Sequence, residues 1–234
     1  MDRSQILAKV GRYYTDKVLE HGPSARGVDW NGTESQMLRF AQLAKLFDDP
    51  RPGMAQPGPF SVLDYGCGYG AFIELLDAGG WEADFHGFDI SEEMVRQARA
   101  RFGDRPNTRF FTDEAEIEPV DYVVSSGLFN VRQDVDAEAW ERYVFDTLVR
   151  FARLSRRGFA FNVLTSYSDA DRMRDTLYYP NPGVLFDYCK RHFSRHAALL
   201  HDYGLYEFTI LVRTDDRATG VWSAPRRSGE ADRA

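Results

Sequence analysis

The chain has 234 residues, of which 43% are hydrophobic and 14% aromatic, and its formal net charge is −7. These values fit a globular domain with a small-molecule substrate and disfavour a nucleic-acid partner. No apolar run approaches the roughly 18 residues that span a bilayer, and the N-terminus lacks the basic-then-apolar order of a signal peptide, so we expect a cytoplasmic protein without membrane contact.

Two helices are predicted before the main fold. Apolar residues at helical spacing predict the first over residues 4–20. The stretch "TESQMLRFAQLAKLF" predicts the second from Thr33, with Thr33 and Gln36 as a capping box. A loop rich in proline and glycine follows, so residues 1–58 are expected to form an N-terminal helical cap.

From Ser61 onward, short β-type runs alternate with helical patterns, which predicts an α/β fold with a parallel sheet and helices on both faces. Ser91 and Asn181 are expected to cap two of the helices. The last two strands, "RHAALLHDY" and "YEFTILVRT", are separated by two residues, too few for a parallel crossover, and so must form an antiparallel hairpin. We assign residues 59–213 to this core and expect the polar tail 214–234 to be disordered.

A glycine-rich turn follows the first strand of the core. The stretch "VLDYGCGYGAF" places Gly66, Gly68 and Gly70 at alternate positions, with Asp64 two residues before the first. The spacing departs from the G-x-G-x-x-G of dinucleotide-binding proteins. A carboxylate at Asp64 would repel a pyrophosphate and attract an ammonium group. The pattern therefore favours a ligand with a free ammonium group over a nicotinamide dinucleotide.

Three stretches, "VLDYGCGYG", "GFDIS" and "DYVVSSGLFN", together with the terminal hairpin, resemble class I S-adenosylmethionine-dependent methyltransferases over about residues 60–213. The resemblance implies a Rossmann-like seven-stranded sheet with an antiparallel terminal hairpin. "GVDWNGTESQMLRF", "YYPNPGVLFDYCKRHF" and "HDYGLYEFTILVR" add a narrower resemblance to bacterial methyltransferases of polysaccharide and specialised-metabolite pathways. This narrower resemblance defines no substrate.

The resemblance implies a set of residues that bind S-adenosylmethionine and its product S-adenosylhomocysteine. Asp89 would accept the ribose hydroxyls, Asp64 would lie near the amino group, and Ile90 would flank the adenine. Arg39 would pair with the cofactor carboxylate or, alternatively, belong to a solvated helix face; Gln36 could serve only its capping box. The full set is Gln36, Arg39, Asp64, Gly66, Cys67, Gly68, Asp89, Ile90, Asp113, Glu114 and Ser126, where Asp113 and Glu114 would meet the adenine amino edge unless Asp113 only caps a helix.

Methyl transfer from a sulfonium is an in-line displacement that depends on alignment, and a general base is optional. The active site should lie beyond the carboxyl ends of the parallel strands. There we place the catalytic candidates Asn130, His201 and Tyr203, with His201 as the candidate base or a structural hydrogen-bonding group. The substrate candidates are Trp30, Tyr167, Tyr178 and Tyr179, and His21 with Asp29 forms a second candidate pair. No metal is expected.

The sequence thus predicts a methyltransferase that acts on oxygen or nitrogen of a small polar metabolite in a biosynthetic pathway. The alternatives are a methyltransferase of RNA or protein and a cofactor-binding scaffold without catalysis. The glycine spacing and the terminal hairpin disfavour a nicotinamide oxidoreductase. A homodimer is compatible with the sequence but not specified by it.

Overall fold

The computed structural model describes residues 1–30, 32–51 and 58–214. Of the predicted tail only Thr214 is included, so the expected disorder of the tail falls outside the described residues, as do residues 52–57 of the proline-rich loop. Across the described ranges, no helix combines the length and apolar character that crossing a bilayer would require.

The elements alternate along the chain as the sequence predicts. The helices are α1 (Arg3–His21), α2 (Thr33–Ala44), α3 (Phe72–Gly79), α4 (Glu92–Phe102), α5 (Ala137–Leu154) and α6 (Pro182–His192). The strands are β1 (Phe60–Tyr65), β2 (Ala83–Phe88), β3 (Thr108–Phe111), β4 (Val120–Ser125), β5 (Ser155–Leu164), β6 (Ala197–Leu200) and β7 (Glu207–Arg213). Short 3-10 turns occur at Arg26–Val28, Glu114–Glu116 and Ala170–Arg172.

The seven strands form one sheet in the order β3-β2-β1-β4-β5-β7-β6. The pairs among β1 to β5 are parallel, and β7 runs antiparallel to both β5 and β6. The predicted fold, with its antiparallel terminal hairpin, is therefore confirmed. The hairpin strands are shorter than predicted, because β6 ends at Leu200 and six residues connect it to β7.

The predicted helix caps have mixed outcomes. The Ser91 side chain accepts from the Met94 N–H, and Asn181 accepts from Gly183 N–H, as expected. The capping box at the start of α2 is wrong, because Gly32 is the N-cap and no side chain caps the helix. Gln36 is buried instead and accepts a hydrogen bond from the Tyr69 hydroxyl in the glycine-rich turn.

Helices cover both faces of the sheet, as predicted. One hydrophobic cluster joins the sheet to α1, α5 and α6 and includes Val10, Trp140 and Phe151. The opposite cluster joins it to α2, α3 and α4 and includes Leu43 and Ile73. The two N-terminal helices thus share the hydrophobic core of the sheet, one on each face. A boundary of the helical cap at residue 58 stays a prediction.

The parallel strands bring their carboxyl ends to one edge of the sheet. There the turn after β1 meets the ends of β2 and β4, since Tyr65 pairs with Phe88 and Asp64 with Val124. A flap of residues 165–181 closes over this edge and is tied to the loop after β4 by an antiparallel bridge between Val131 and Leu177. These connections bring the glycine-rich turn, the loop after β4 and the flap to the edge at which the sequence predicts the active site.

The close packing around Gly87 in β2 provides a test of the contact between β2 and the glycine-rich turn. A Cβ on Gly87 would lie 2.7 Å from the Phe110 ring and 2.9 Å from the Cys67 Sγ. We expect Gly87→Ala to lower the free energy of unfolding in urea by about 1–3 kcal/mol, the usual cost of overpacking. Gly58→Ala is the control, since its Cβ would meet nothing within 4 Å. Equal effects of the two substitutions would contradict the tight contact between β2 and the turn.

Candidate active site

The glycine-rich turn, residues 66–70, forms the floor of a first cleft with about 810 Å³ of empty space, including its mouth. Its walls come from α1, α2, the ends of β1, β2 and β4, and the segment around Trp30. The predicted residues that line it are Trp30, Gln36, Asp64, Gly66, Cys67, Gly68, Asp89, Ile90 and Ser126. The structure thus gathers most of the predicted cofactor-binding set around one cavity.

The turn needs glycine for both conformation and space. Gly66 and Gly68 have φ values of +85° and +53°, in the left-handed region that other residues rarely adopt. A Cβ on Gly66 would lie 3.1 Å from Leu128, and one on Gly68 would lie 3.0 Å from Val28. The result is a bare backbone surface that a ligand can approach closely.

The end of β2 holds this turn in place. The Phe88 carbonyl accepts from both the Gly66 and Cys67 N–H groups, at 2.7 and 2.9 Å. The Asp89 carboxylate accepts from the Gly68 N–H and the Ser91 N–H, each at 2.9 Å. These N–H groups therefore donate to acceptors within the protein. The surface that the turn leaves open to a ligand consists of its Cα atoms.

Two carboxyl groups share the wall of the cleft, and both are almost fully buried. Burial, reinforced by the nearby Asp89 charge, raises the pKa of Asp64 to about 8. Burial also raises the pKa of Asp89, to about 6, although the N–H groups of Ser91 and Gly68 oppose the shift. Asp64 therefore holds its proton at neutral pH until a cation arrives beside it.

Helix α1 covers the first cleft. Leu7, Val10 and Tyr14 line the cavity from this helix. The helix is attached to the far wall, where the Thr15 and Ser91 hydroxyls are 2.7 Å apart. The sequence predicted this helix but not its position over the turn.

Asp113 and Glu114 lie outside the first cleft, in contrast to the expected contact with an adenine. The exposed Asp113 side chain accepts from the Ala115 N–H, which is the capping alternative. Glu114 pairs with Arg3 at 2.8 Å and with Arg150 at 3.3 Å. The Tyr65 hydroxyl donates to it as well, at 3.0 Å. Because these donors occupy its carboxylate, Glu114 ties α1 and α5 to β1.

A second cleft, with about 1830 Å³ of empty space including its mouth, adjoins the first. Tyr14, Val28 and Trp30 line both clefts. The flap forms the roof of the second cleft, and the predicted residues that line it are Asp29, Trp30, Arg39, Asn130 and Tyr179. Trp30 thus stands at the junction, where its ring packs on Gly127.

The structure does not bring His201 to either cleft, nor Tyr203, Tyr167 or Tyr178. Because β6 ends at Leu200, His201 lies in the exposed connection to β7, with its ring 5.8 Å from that of Tyr167. The Tyr203 hydroxyl is 3.0 Å from the Thr209 hydroxyl. Tyr178 packs against the core cluster, and the Tyr167 side chain is 72% exposed. A base at His201 has no geometric support.

Asn130 does line the second cleft, although its side chain is buried and part of its hydrogen-bonding capacity is used within the protein. Its Oδ1 accepts from the Leu164 N–H at 3.1 Å, and its carbonyl accepts from the Tyr178 N–H. Asn130 therefore joins the loop after β4 to the end of β5 and to the flap.

Of the second candidate pair, only Asp29 lines a cleft. Asp29 accepts a hydrogen bond from the Tyr13 hydroxyl at 2.8 Å and pairs with Lys17 at 3.1 Å. Burial, aided by the hydrogen bond to Asp29, raises the pKa of Tyr13 above its usual value, so this phenol keeps its proton. His21 lies 3.6 Å from Glu20 at the end of α1.

Arg39 is buried, so the alternative that it belongs to a solvated helix face is wrong. Its Nε and Nη2 donate to both carboxylate oxygens of Glu207 at 2.7 to 2.9 Å. The guanidinium lies 4.0 Å from the centre of the Trp30 ring. Its Nη1 is buried and has no hydrogen-bond partner among the described residues. Arg39 lines the second cleft and not the first.

Sequence reasoning missed Asn162, which is fully buried in β5. Its Oδ1 accepts from the Gly127 N–H at 2.7 Å, and its Nδ2 lies 3.4 Å from the Ser126 Oγ. It thereby fixes the loop at the junction of the clefts. A lone amide in the apolar run "FAFNVL" was the available signal, because a buried polar side chain requires partners.

Comparison with known proteins agrees with this architecture. A family model described as "Methyltransferase domain" matches residues 62–149. A Mycobacterium tuberculosis (strain ATCC 25618 / H37Rv) protein with a provisional methyltransferase name is 55% identical over 156 residues, which are 66% of this chain and 93% of the relative.

Two solved structures share the fold at low sequence identity. The N-methyltransferase NodS from Bradyrhizobium japonicum WM9, in complex with S-adenosylhomocysteine, matches with a TM-score of 0.59 and 16% identity over 88% of this chain and 99% of NodS. The complex of DhpI with SAM and HEP matches with a TM-score of 0.56 and 15% identity over 88% and 96% of the two chains. The chain belongs to the class I S-adenosylmethionine-dependent methyltransferases.

Proposed function

We propose that this methyltransferase transfers the methyl group to oxygen or nitrogen of a small polar metabolite in a biosynthetic pathway, with the cofactor in the first cleft and the acceptor in the second. The observation that carries the proposal is the shared wall of Tyr14, Val28 and Trp30. Two ligands in clefts that adjoin at these residues can place a donor carbon and an acceptor atom in line.

The residues of the first cleft fit the parts of the cofactor. Asp89 has lone pairs left for the ribose hydroxyls, and Ile90 offers an apolar contact to the adenine. An ammonium group beside Asp64 would favour its ionised carboxylate, and the proton would leave to solvent. Gln36 and Ser126 line the same cavity and can hydrogen-bond the methionine portion. When bound, the cofactor supplies an activated methyl group.

The chain's own residues bind and orient the two ligands and exclude water from them. Helix α1 covers the first cleft, and the flap lines the second, so both restrict the access of solvent to the proposed ligands. Asn130 and Asn162 hold the loop between the clefts. Since positioning supplies much of the rate in this displacement, we assign no general base.

The size and lining of the second cleft support a small acceptor over RNA or protein. Its walls carry three arginines and three carboxylates, so they balance in formal charge, and they include tyrosines that can contact a polar molecule. The arginines are Arg39, Arg172 and Arg174, and the carboxylates are Asp29, Asp171 and Glu207. The net charge of −7 likewise disfavours a nucleic acid.

The deciding experiment is titration calorimetry with S-adenosylmethionine and S-adenosylhomocysteine, followed by transfer of a radiolabelled methyl group to a panel of small metabolites, RNA and protein. We expect both cofactors to bind and label to appear in a small molecule. Label only in RNA or protein would overturn the proposed acceptor, and binding without transfer to any class would favour a scaffold.

The ribose assignment predicts the effect of Asp89→Ala. We expect S-adenosylhomocysteine affinity to fall more than 100-fold, beyond about 3 kcal/mol, because two hydroxyls lose their acceptor and the turn loses a hydrogen bond. Asp136→Ala is the matched control, since Asp136 also accepts from two backbone N–H groups but caps α5. Unchanged affinity of the Asp89 variant in calorimetry would refute the assignment.

The raised pKa of Asp64 predicts that cofactor binding releases a proton. The carboxyl is protonated in the free protein below its pKa of about 8 and must ionise to pair with the ammonium group. S-adenosylhomocysteine affinity should therefore rise with pH from about 6 towards 8 and then level off.

Calorimetry in two buffers with different ionisation enthalpies measures the proton release directly. Asp64→Asn should bind without the part of the release that Asp64 supplies, leaving any contribution from Asp89. The same proton release in the variant and the wild type would contradict this role of Asp64.

A further inference from the structure

We propose that Arg39 is the anchor for an anionic group of the acceptor, so that the enzyme methylates small molecules that carry a carboxylate or phosphate-type oxyanion. This inference rests on the proposed function, because it names the chemistry of the ligand in the second cleft.

The hydrogen bonds of Arg39 leave part of its guanidinium unused. A guanidinium has five N–H donors, and Glu207 takes only those on Nε and Nη2. Nη1 makes no hydrogen bond to any described residue, although Arg39 is only 6% exposed. A buried donor without a partner is costly, so a ligand that accepts from it gains this interaction in addition to its own contacts.

The position of the guanidinium points to the acceptor rather than the cofactor. Arg39 lines the second cleft and is absent from the wall of the first. Gln36, one turn earlier on α2, lines the first cleft instead. Two neighbouring side chains of one helix thus serve the two clefts separately.

The surroundings favour an oxyanion over a cation. The carboxylates in this wall are Glu207, held by Arg39; Asp29, held by Lys17 and Tyr13; and Asp171 on the flap. Arg172 and Arg174 add cationic groups from the flap. Since the wall is balanced in formal charge, the unused guanidinium donors are what select the ligand, and they match carboxylate and phosphate oxygens.

Access to Nη1 involves Trp30. The nitrogen is shielded from solvent here, and the Trp30 ring covers the guanidinium at 4.0 Å. An anion reaches Nη1 only after a neighbouring group shifts, and Trp30 is the neighbour that also lines the first cleft. Occupation of the first cleft can therefore influence the anion site.

The test follows the Nε–H resonance of Arg39, assigned with Arg39→Lys, in protein saturated with S-adenosylhomocysteine. Inorganic phosphate, acetate and neutral acetamide are titrated at constant ionic strength set with chloride. We expect a saturable shift with phosphate, acetate or both, and none with acetamide. A shift with phosphate alone identifies phosphate-type acceptors, and a shift with acetate alone identifies carboxylate acceptors. The resonance of Arg142, an exposed arginine paired with Glu138, is the internal control.

Cofactor affinity distinguishes a role of Arg39 in binding the acceptor from a role in binding the cofactor carboxylate. Arg39→Lys keeps a cation beside Glu207, so we expect it to change S-adenosylhomocysteine affinity less than threefold. We expect the same substitution to abolish the saturable response to anions. This response is measured by the fluorescence of Trp30, which is identified by comparison with Trp30→Phe. Arg142→Lys is the matched control. No anion response in the wild type, or a more than tenfold loss of cofactor affinity in Arg39→Lys, would overturn the proposal. Failure of the wild type to bind S-adenosylhomocysteine would instead refute the proposed function.

Discussion

The attachment of the glycine-rich turn to the end of β2 is the constraint on which the site depends. The Phe88 carbonyl and the Asp89 carboxylate together accept three consecutive N–H groups of the turn. The turn follows β1, so this attachment exists only because β1 and β2 are parallel neighbours in register. With its amides engaged, the turn keeps its left-handed glycines in place and presents a bare surface. The first cleft is in this sense a product of strand pairing.

Trp30 connects this cleft with the second cleft. Its ring packs on Gly127, whose N–H is held by Asn162 from β5, and it lies under the guanidinium of Arg39. Arg39 is in turn held by Glu207 at the start of β7. The junction between the clefts therefore depends on both the parallel part of the sheet and its antiparallel edge. A substitution at either place changes the same wall.

Local patterns in the sequence predicted the fold and the first cleft. The glycine spacing, Asp64 and Asp89 lie in two short stretches at strand ends, and strand alternation fixes the edge at which they meet. The ion pair of Arg39 with Glu207 joins residues 168 positions apart and leaves no local signal. Glu114 was misassigned for the same reason, because its partner Arg3 comes from a distant helix. His201 was misplaced because the predicted strand "RHAALLHDY" continued past the last paired residue, Leu200, into the polar residues that follow it.

The position of α1 has a consequence for turnover. A cofactor bound in the first cleft, as proposed, would lie against Leu7, Val10 and Tyr14, and separation of this helix from α4, which breaks the contact between the Thr15 and Ser91 hydroxyls, would widen its route out. Exchange of spent for fresh cofactor is then tied to the free energy of a local opening of the first 21 residues. The residence time of the product, and with it the sensitivity to product inhibition, would then depend on the N-terminal helix as well as on the glycine-rich turn. Sequence changes at Leu7 or Val10, which line the first cleft and not the second, would therefore tune the catalytic cycle without touching a residue of the proposed acceptor cleft.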